Sequence, residues 1–599
     1  MSHRLRDRTI LGVIALGVAC YFLWLARTAN GRFDWQHDSN GFYNLLARGF
    51  LGGHLYTPIQ PSAKLLAMPN PWDPSLDDSI RWQDMALYNG HYYLYFGAAP
   101  AVVLFAPWRA LTGHDLPESF GICVLCFAGF LFSCGTLLRM LDWAEARPGP
   151  VVLAFLFLGL GVCQSAPFLL SRTAMYEIAI AGGYCFLSAG LYFLARGRWA
   201  VSGVMFGLAV ASRPHLVLVA AIALAALLWR RERRPAALRF AAALAVMGFA
   251  IGVYNFERFG NPLEFGFRYQ LAGPGQNRIE LAARNVVPGT YFMLLSKPEL
   301  SRVFPWMRLV VRFPFDSAEK FPLPPLYFVE PSVGALWLAP FLPLALLAFR
   351  RRSVKGADDV RLIGGIAAAG GLAALAFLVS THLATHRYEV DFAALLVFAA
   401  IASFALSRRR VVHVAACVLI AYSAMANFAL AVQGPYDDFL RINPRGYVRL
   451  AQRFSPGAAV RPVLDPTVAI RFRAEFVPEA AGYREPLVTL GHAQHCWFLY
   501  AVRGGPTMKL VSKGSESEMT YEMPDPGRGG VEFEAAYAPQ TGEMTVRVNG
   551  QQALLHRVGP LVAAPAELHF GENYADMGLT ARRFGGHIQV VDQFVGAHR

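Results

Sequence analysis

Charged side chains are scarce in this sequence, and their scarcity excludes an ordinary soluble protein. Asp, Glu, Lys and Arg make up 16% of the 599 residues, whereas 55% are hydrophobic and the mean hydropathy is +0.35. Soluble domains carry about 25% charged residues. The composition therefore predicts a polytopic α-helical membrane protein with an additional soluble part.

Cysteine is almost absent outside the apolar runs. Of the eight cysteines, only Cys496 lies in a polar region, so no disulfide framework is predicted. Cys123 and Cys126 form a CxxC pair, but inside an apolar run a thiol behaves as a small hydrophobe. We interpret them as packing residues. The sequence contains no clear ligand set for a divalent cation, and it identifies no cofactor.

The net charge of +14 does not indicate nucleic acid as a partner. The basic clusters RRERR (230–234), RRRSVK (350–355) and SRRR (407–410) each stand between apolar runs. Cytoplasmic loops of membrane proteins carry such an excess of positive charge. We therefore predict an inner (cytoplasmic) membrane location with a cytoplasmic amino terminus, membrane lipids as partners, and no nucleic-acid binding.

Eleven apolar runs are long enough to cross a bilayer core of about 30 Å. The run 199–229 contains Arg213-Pro214, and counting it as one kinked span keeps all three basic clusters on the cytoplasmic side. The predicted spans are 10–26, 95–112, 118–138, 150–170, 174–195, 199–229, 236–256, 332–349, 361–380, 388–406 and 410–432.

This topology divides the chain into two predicted domains. Residues 1–432 form the transmembrane domain, and its long polar loops 27–94 and 257–331 face the periplasm or the cell exterior. A linker rich in Pro, Gly and Arg covers 433–460, and 461–599 form an extracytoplasmic domain.

Strand alternation replaces long apolar runs in the C-terminal domain. In EMTVRVNGQQALLHRV (543–558), apolar and polar residues alternate up to Asn549-Gly550, a pair that favours a tight turn with positive φ. Short strands with even spacing predict an all-β sandwich. This stretch, followed by LHFGENYADMG and FGGHIQVV, resembles laminin-G or concanavalin-like domains, which implies a possible glycan-binding role.

The stretch FDWQHDSNGFYNLLARGFLGGHLY (33–56) follows the first span directly. Its apolar residues recur at helical spacing, which predicts a helix in the membrane interface with Ser39 or Asn40 as N-cap. Asp38 precedes this cap, and a helix amino end favours the ionised carboxylate. Asp38 therefore either acts as a general base or only helps to stabilise the helix N-cap.

Two further outer segments contain candidate site residues. RWQDMALYNGHYYLYF (81–96) contains Asp84 and Tyr93, which together with Asp38 would line a cavity at the membrane surface, although the tyrosines also suit an aromatic belt. The loop 257–331 is rich in aromatic and basic residues that suit a lipid phosphate or plain membrane adhesion; Arg268 and Arg312 are its candidates.

THLATHRYEVDF (381–392) stands at the outer end of two predicted spans. The candidates for binding a phosphate are His382, His386, Arg387 and Tyr388, because the planar guanidinium fork matches phosphate oxygens. A snorkelling anchor also explains Arg387.

The region between the first two spans resembles a known family. An acidic outer loop ending in GHLY and the entry YNGHYYLYFGAAPAVVLFAP are similar to the GT-C superfamily of polyprenyl-phosphate-dependent glycosyltransferases, in the branch of aminoarabinose transferases and relatives of protein O-mannosyltransferases. Asp38 matches the family's acid, while Ser39 stands where many members have Glu. The resemblance covers about residues 1–432, and the family's RY motif matches Arg387-Tyr388.

The resemblance implies transfer of a sugar from a polyprenyl-phosphate donor to an extracytoplasmic glycan, lipid or protein acceptor. Asp38 would deprotonate the acceptor hydroxyl, and Arg387, with His386 and Arg268 or Arg312, would hold the phosphate. SRTAMYE (171–177) is similar to another family motif. Two alternatives remain: an exporter of envelope glycolipid, and a non-catalytic membrane protein that displays a glycan-binding sandwich.

Overall fold

The protein, seen in a computed structural model, divides into two compact units, which are described separately. The helical unit comprises Met1–Arg27, Phe33–Glu299 and Leu309–Ala431. The C-terminal unit comprises Thr28–Arg32, Leu300–Arg308 and Val432–Arg599. The structure describes residues 3–27, 35, 40–73, 80–273, 276–311, 313, 323–350, 355–477, 484–492, 495–515, 517–573, 580–581 and 583–597.

Helices dominate the first unit because its long apolar runs contain few helix-breaking residues. Among the described residues, seven helices are long and apolar enough to cross a membrane: His3–Ala26, Glu118–Ala144, Met175–Ala195, Arg231–Phe259, Ala357–Ser380, His386–Ala405 and Arg410–Gln433. The α-helices are α1 (His3–Ala26), α2 (Phe42–Leu51), α3 (Ala63–Leu66), α4 (Ala106–Thr112), α5 (Glu118–Ala144), α6 (Pro150–Val162), α7 (Met175–Ala195), α8 (Trp199–Val210), α9 (Val217–Leu228), α10 (Arg234–Phe259), α11 (Val286–Thr290), α12 (Ala335–Leu338), α13 (Ala357–Ser380), α14 (Glu389–Ala405), α15 (Arg410–Gln433), α16 (Asp438–Ile442) and α17 (Pro444–Phe454).

The other four of the eleven apolar runs form shorter elements. They are 95–112, 150–170, 199–229 and 332–349, and each contains a proline, which removes a backbone donor and crowds the preceding turn. The predicted kink in 199–229 is corrected: α8 ends at Val210, a 3₁₀ turn forms at Pro214–Leu216, and α9 then begins. The helix is therefore interrupted rather than bent.

Helix α2 differs from the predicted interfacial helix in two ways. Gly41, with φ of 60°, occupies the N-cap position and provides no side-chain cap, while Ser39 lies outside the described residues. Phe42 and Leu46, from the predicted membrane-facing stripe, are buried. The Tyr43 hydroxyl donates to the Gly97 carbonyl at 3.0 Å. Contacts within the helical unit therefore cover much of the apolar face.

The C-terminal unit is rich in strands. One antiparallel sheet has the order β12-β11-β10-β9-β17 and another the order β15-β14-β13-β8-β18. The strands of the chain are β1 (Ala86–Tyr88), β2 (His91–Tyr93), β3 (Glu299–Leu300), β4 (Met307–Arg308), β5 (Phe328–Val329), β6 (Leu383–Ala384), β7 (Val463–Leu464), β8 (Thr467–Glu475), β9 (Arg484–His492), β10 (His495–Gly504), β11 (Thr507–Lys513), β12 (Glu518–Pro524), β13 (Gly530–Ala538), β14 (Glu543–Val548), β15 (Gln551–Arg557), β16 (Val562–Ala563), β17 (Leu568–Phe570) and β18 (His587–Gly596).

Side chains from both five-stranded sheets enter one apolar core. Phe472 and Phe533 from one sheet and Trp497 from the other are fully buried in it. The positive φ angles predicted at Asn549 and Gly550 are confirmed at 48° and 82°. These strands follow directly from the alternation in the sequence.

The segment 433–460, for which the sequence predicts a linker, contains the helices α16 and α17. Asn443 caps α17 by accepting from the Gly446 amide at 2.8 Å, and a proline occupies the first helical position. The Tyr447 hydroxyl donates to the Phe304 carbonyl at 2.8 Å. Capping and this contact explain why a Pro- and Gly-containing stretch is ordered.

Candidate functional site

A cavity of about 490 Å³ lies in the helical unit and brings together several predicted site residues. Much of its wall is aromatic, which suits an apolar or amphipathic ligand. The aromatic residues lining it include Tyr95, Phe96, Phe265, Phe267, Phe328 and Phe377.

Asp84 supplies a carboxylate to this cavity, and both of its oxygens are held. The Tyr176 hydroxyl donates to Oδ2, and Gln270 Nε2 donates to Oδ1 at 2.9 Å. The Asp84 backbone has a φ of 65° and donates to the Leu271 carbonyl at 2.8 Å. The positive φ and the two hydrogen bonds fix the direction of the Asp84 side chain. The cavity therefore contains a half-buried carboxylate in a defined position.

Arg387 reaches the same cavity from the 3₁₀ turn His386–Tyr388 that precedes α14. Its Nη1 lies 2.7 Å from a Glu330 carboxylate oxygen and 3.7 Å from Glu177. Its guanidinium carbon lies 4.4 Å from the centre of the Tyr176 ring. Tyr176 therefore links the two predicted residues, since its hydroxyl binds Asp84 and its ring lies under Arg387.

Sequence reasoning missed Arg213 as a site residue. It lines the cavity and is ion-paired to Asp391, with Nη2 and Oδ2 2.8 Å apart. Its guanidinium carbon lies 4.8 Å from the Tyr388 ring centre, and that of Arg387 lies 5.8 Å from the same ring. Tyr388 thus brings two guanidinium groups together. The sequence feature that could have indicated Arg213 is an arginine beside a proline inside an apolar run. A charge at such a position costs free energy, which makes it a candidate functional residue.

Several buried polar atoms on the cavity wall have no hydrogen-bond partner among the described residues. They include Thr385 Oγ1, Gln270 Oε1 and the Nε of Arg387. Native proteins leave few buried polar groups unpaired, so such atoms on one wall indicate that a ligand or water completes them. Thr385 Oγ1 can both donate and accept a hydrogen bond, Arg387 Nε can donate, and Gln270 Oε1 can accept. A phosphorylated or hydroxylated ligand has the complementary groups.

The remaining predicted residues have different positions. Arg268 lines the cavity with a side chain that is 71% exposed and lies 3.9 Å from Glu264. Tyr388 also lines the cavity, and its binding role stays a prediction. Asp38 and Arg312 lie outside the described residues, so their roles stay predictions.

Two predicted site residues are absent from the cavity lining. His386 is buried, with its ring 4.4 Å from that of Phe168 and its Nδ1 3.5 Å from Glu389. Tyr93 packs against Phe259 at 5.3 Å, and burial raises the pKa of its phenol. Successive residues of a turn point in different directions, and the alternation of β2 turns Tyr93 into the aromatic core. The binding roles of His386 and Tyr93 stay predictions.

The two charged residues of SRTAMYE (171–177), Arg172 and Glu177, belong to the same charge network. Arg172 lies 3.8 Å from Glu330, and Glu177 approaches Arg387. No group of three or more His, Cys, Asp or Glu side chains that could hold a metal ion occurs among the described residues. The described site therefore consists of acids, arginines and aromatic rings.

Comparisons with known proteins provide no family assignment. No family model and no curated protein sequence matches the chain. One solved structure similar to part of it is the Ruminococcus gnavus IT-sialidase CBM40 bound to alpha2,3 sialyllactose, at 12% identity and a TM-score of 0.17. The match covers 22% of this chain and 75% of that one. A similarity this low carries no argument about function.

Proposed function

We propose that the protein is a membrane glycosyltransferase that moves a sugar from a polyprenyl-phosphate donor to an acceptor outside the cytoplasmic membrane. The observation that carries this proposal is the meeting of one positioned carboxylate and two buried guanidiniums in one aromatic-walled cavity. An isoprenoid-linked donor has three matching parts: an apolar chain, an anionic phosphate and a sugar rich in hydroxyls.

The arginines would hold the donor phosphate. Arg387 and Arg213 both lie close to the Tyr388 ring, and each is already positioned by a carboxylate. The unpartnered Nε of Arg387 is a free donor for a phosphate oxygen. Positive groups placed before the reaction stabilise the charge that develops on the departing phosphate.

A carboxylate would take the proton of the acceptor hydroxyl. The acceptor oxygen then forms a bond to the anomeric carbon, the bond from that carbon to the phosphate oxygen breaks, and the electron pair leaves with the polyprenyl phosphate. Asp38 keeps its predicted role as this base. Asp84 would bind the acceptor or donor sugar through its fixed oxygens, as a carboxylate accepts hydroxyl hydrogen bonds.

The same proposal includes the finer architecture. Eleven spans of GT-C type would place the amino terminus in the cytoplasm, and the loops 27–94 and 257–331 with the C-terminal unit outside. The two five-stranded sheets would stack as a laminin-G-like or concanavalin-like sandwich that orients the acceptor. Their shared apolar core supports this arrangement.

The test is mass analysis of surface glycans in a deletion strain complemented with variants. We expect a glycan to lose one sugar in the deletion strain, and Asp38→Asn, Asp84→Asn and Arg387→Gln to restore it poorly at normal protein levels. Glu145→Gln changes an exposed acid that pairs with Lys355 and does not line the cavity, and it serves as the control. An unchanged glycan profile in the deletion strain would contradict the proposed glycosyltransferase activity.

The alternatives give different outcomes in the same strains. An exporter of glycolipid would leave the complete glycolipid in the inner leaflet, and a non-catalytic binding protein would leave all glycan structures intact. Only a transferase makes the unmodified acceptor and the unused donor accumulate together.

A further inference from the structure

Helix α17 presents an unusual row of exposed arginines in the C-terminal unit. Arg445, Arg449 and Arg453 recur every four residues in Pro444–Phe454, so they follow one side of the helix. All three are exposed. Among the described residues, none of them forms an ion pair within 4.0 Å, whereas Arg308, Arg471 and Arg503 in strands of the same unit do. We call these three residues the arginine row.

The opposite face of α17 holds the arginine row in a fixed direction. Tyr447, Val448 and Ala451 are buried, and the Tyr447 hydroxyl is bonded to the Phe304 carbonyl. An apolar face anchored in this way cannot enter a bilayer without unpacking the unit. Any ligand of α17 must therefore bind through the charged side, by electrostatic attraction.

Phe454, although next to Arg453 in the chain, belongs to the anchored face of α17 and not to the arginine row. It is 47% exposed, and its ring stacks 6.0 Å from the fully buried Phe304. The arginine row therefore presents charge alone, and its ligand must be anionic.

Only a short stretch of chain separates α17 from a candidate membrane span. Helix α15, one of the seven candidate spans, ends at Gln433, and α17 begins at Pro444. The intervening residues 434–443 reach at most about 35 Å even when fully extended. Basic residues so soon after a span favour an anionic bilayer surface as their ligand.

We propose that the arginine row of α17 is a docking site for anionic phospholipid headgroups. Basic segments next to a span are attracted to the negative surface potential of such lipids. Docking would fix the height of the C-terminal unit above the bilayer. This inference is independent of the proposed transferase activity, since it concerns lipid binding alone.

The experiment measures the distance between the helix and the headgroups in the full chain. A donor dye on Ala459→Cys, an exposed position soon after α17, transfers energy to acceptor-labelled headgroups in nanodiscs. The background carries Cys20→Ser and Cys417→Ser, because the other native cysteines are buried. Nanodiscs of phosphatidylcholine alone are compared with nanodiscs that also contain phosphatidylglycerol.

We expect energy transfer to be clearly higher with phosphatidylglycerol and to fall to the neutral-lipid value at 1 M salt, where the screening length is about 3 Å. The triple variant Arg445→Gln, Arg449→Gln, Arg453→Gln should lose the difference between the two lipids.

A matched control removes three other exposed arginines that already face glutamates. These are changed by Arg471→Gln, Arg473→Gln and Arg583→Gln. The control should keep the lipid-dependent difference. Equal transfer in both lipids, or an equal loss in the control and the triple variant, would overturn the proposal. A salt-sensitive signal that needs no phosphatidylglycerol would overturn it in favour of a soluble acidic partner.

Discussion

Arg213, which lines the cavity, forms a buried ion pair with Asp391, although the two residues lie 178 positions apart in the chain. Asp391 Oδ2 accepts from both Nε and Nη2 of the guanidinium, at 3.1 and 2.8 Å. His215 Nε2 lies 3.3 Å from the same oxygen. This pair joins the interruption between α8 and α9 to the first turn of α14, and it thereby sets the position of Arg213.

Removal of one partner of this pair should destabilise the helical unit strongly. Asp391→Ala leaves a buried guanidinium without its carboxylate, which typically costs about 3–5 kcal/mol. The thermal unfolding midpoint in detergent checks this. Asp358→Ala breaks an exposed pair with Arg230 and should leave the midpoint almost unchanged. Equal midpoints for the two variants would contradict a structural role for the Arg213–Asp391 pair.

Gly97 shows how closely the backbone is packed behind this arginine. A Cβ at Gly97 would lie 1.9 Å from the Ala211 carbonyl oxygen, so the chain before Arg213 would have to move. Gly97→Ala should cost about 1–3 kcal/mol of unfolding free energy, as overpacking does, and it should lower donor-lipid binding. Gly248→Ala is the matched control, because a Cβ there meets nothing within 4 Å. A helical glycine replaced by alanine should stabilise slightly.

Much of the fold could be predicted because it depends on local patterns. Apolar runs without a proline became long helices, and alternation around Asn549-Gly550 became a hairpin. Runs with a central proline were predicted less well, because apolarity alone does not show whether a helix continues past Pro214. The seven long helices are thus the part of the topology that composition determines directly.

The candidate site could be predicted only in part. Charges at the edge of a span predict Asp84 and Arg387 as site residues, and the structure places both at one cavity. His386 lies away from the lining of that cavity, because neighbours in one turn point in different directions, which the sequence does not show. No local pattern identifies Asp391, in a distant helix, as the partner of Arg213.

Tyr176 should affect catalysis through Asp84 rather than through the fold. Tyr176→Phe removes the hydroxyl that donates to the Asp84 carboxylate but keeps the ring under Arg387. A hydrogen bond to a charged group is worth about 1.5–3 kcal/mol, so sugar transfer should fall roughly 10- to 100-fold. Tyr422→Phe removes a hydroxyl bonded to the Trp337 carbonyl and should leave transfer unchanged. Full activity in Tyr176→Phe would remove Asp84 from the proposed site.

The C-terminal unit should lose stability in mild acid because of His556. Its Nδ1 and Nε2 each lie 2.9 Å from a serine hydroxyl, those of Ser512 and Ser517. Ser512 also accepts from the indole of the buried Trp497 at 2.9 Å. Ser517 donates to the Arg557 carbonyl, so it accepts from Nε2–H, and the neutral imidazole then accepts from Ser512 at Nδ1.

Burial lowers the pKa of His556, and the nearby Glu518 offsets only part of this effect. The unfolded chain, with an ordinary pKa of about 6.5, therefore binds the proton first as the pH falls. The contribution of His556 to stability is complete above about pH 6.5 and is lost as the pH decreases toward the folded-state pKa, with a slope of at most about 1.4 kcal/mol per pH unit. Hydrogen exchange of β10 and β15 between pH 7 and 5 measures the loss. His556→Gln should flatten this pH dependence, whereas His587→Gln, at an exposed histidine, should not; an unchanged slope in His556→Gln would show that another group carries it.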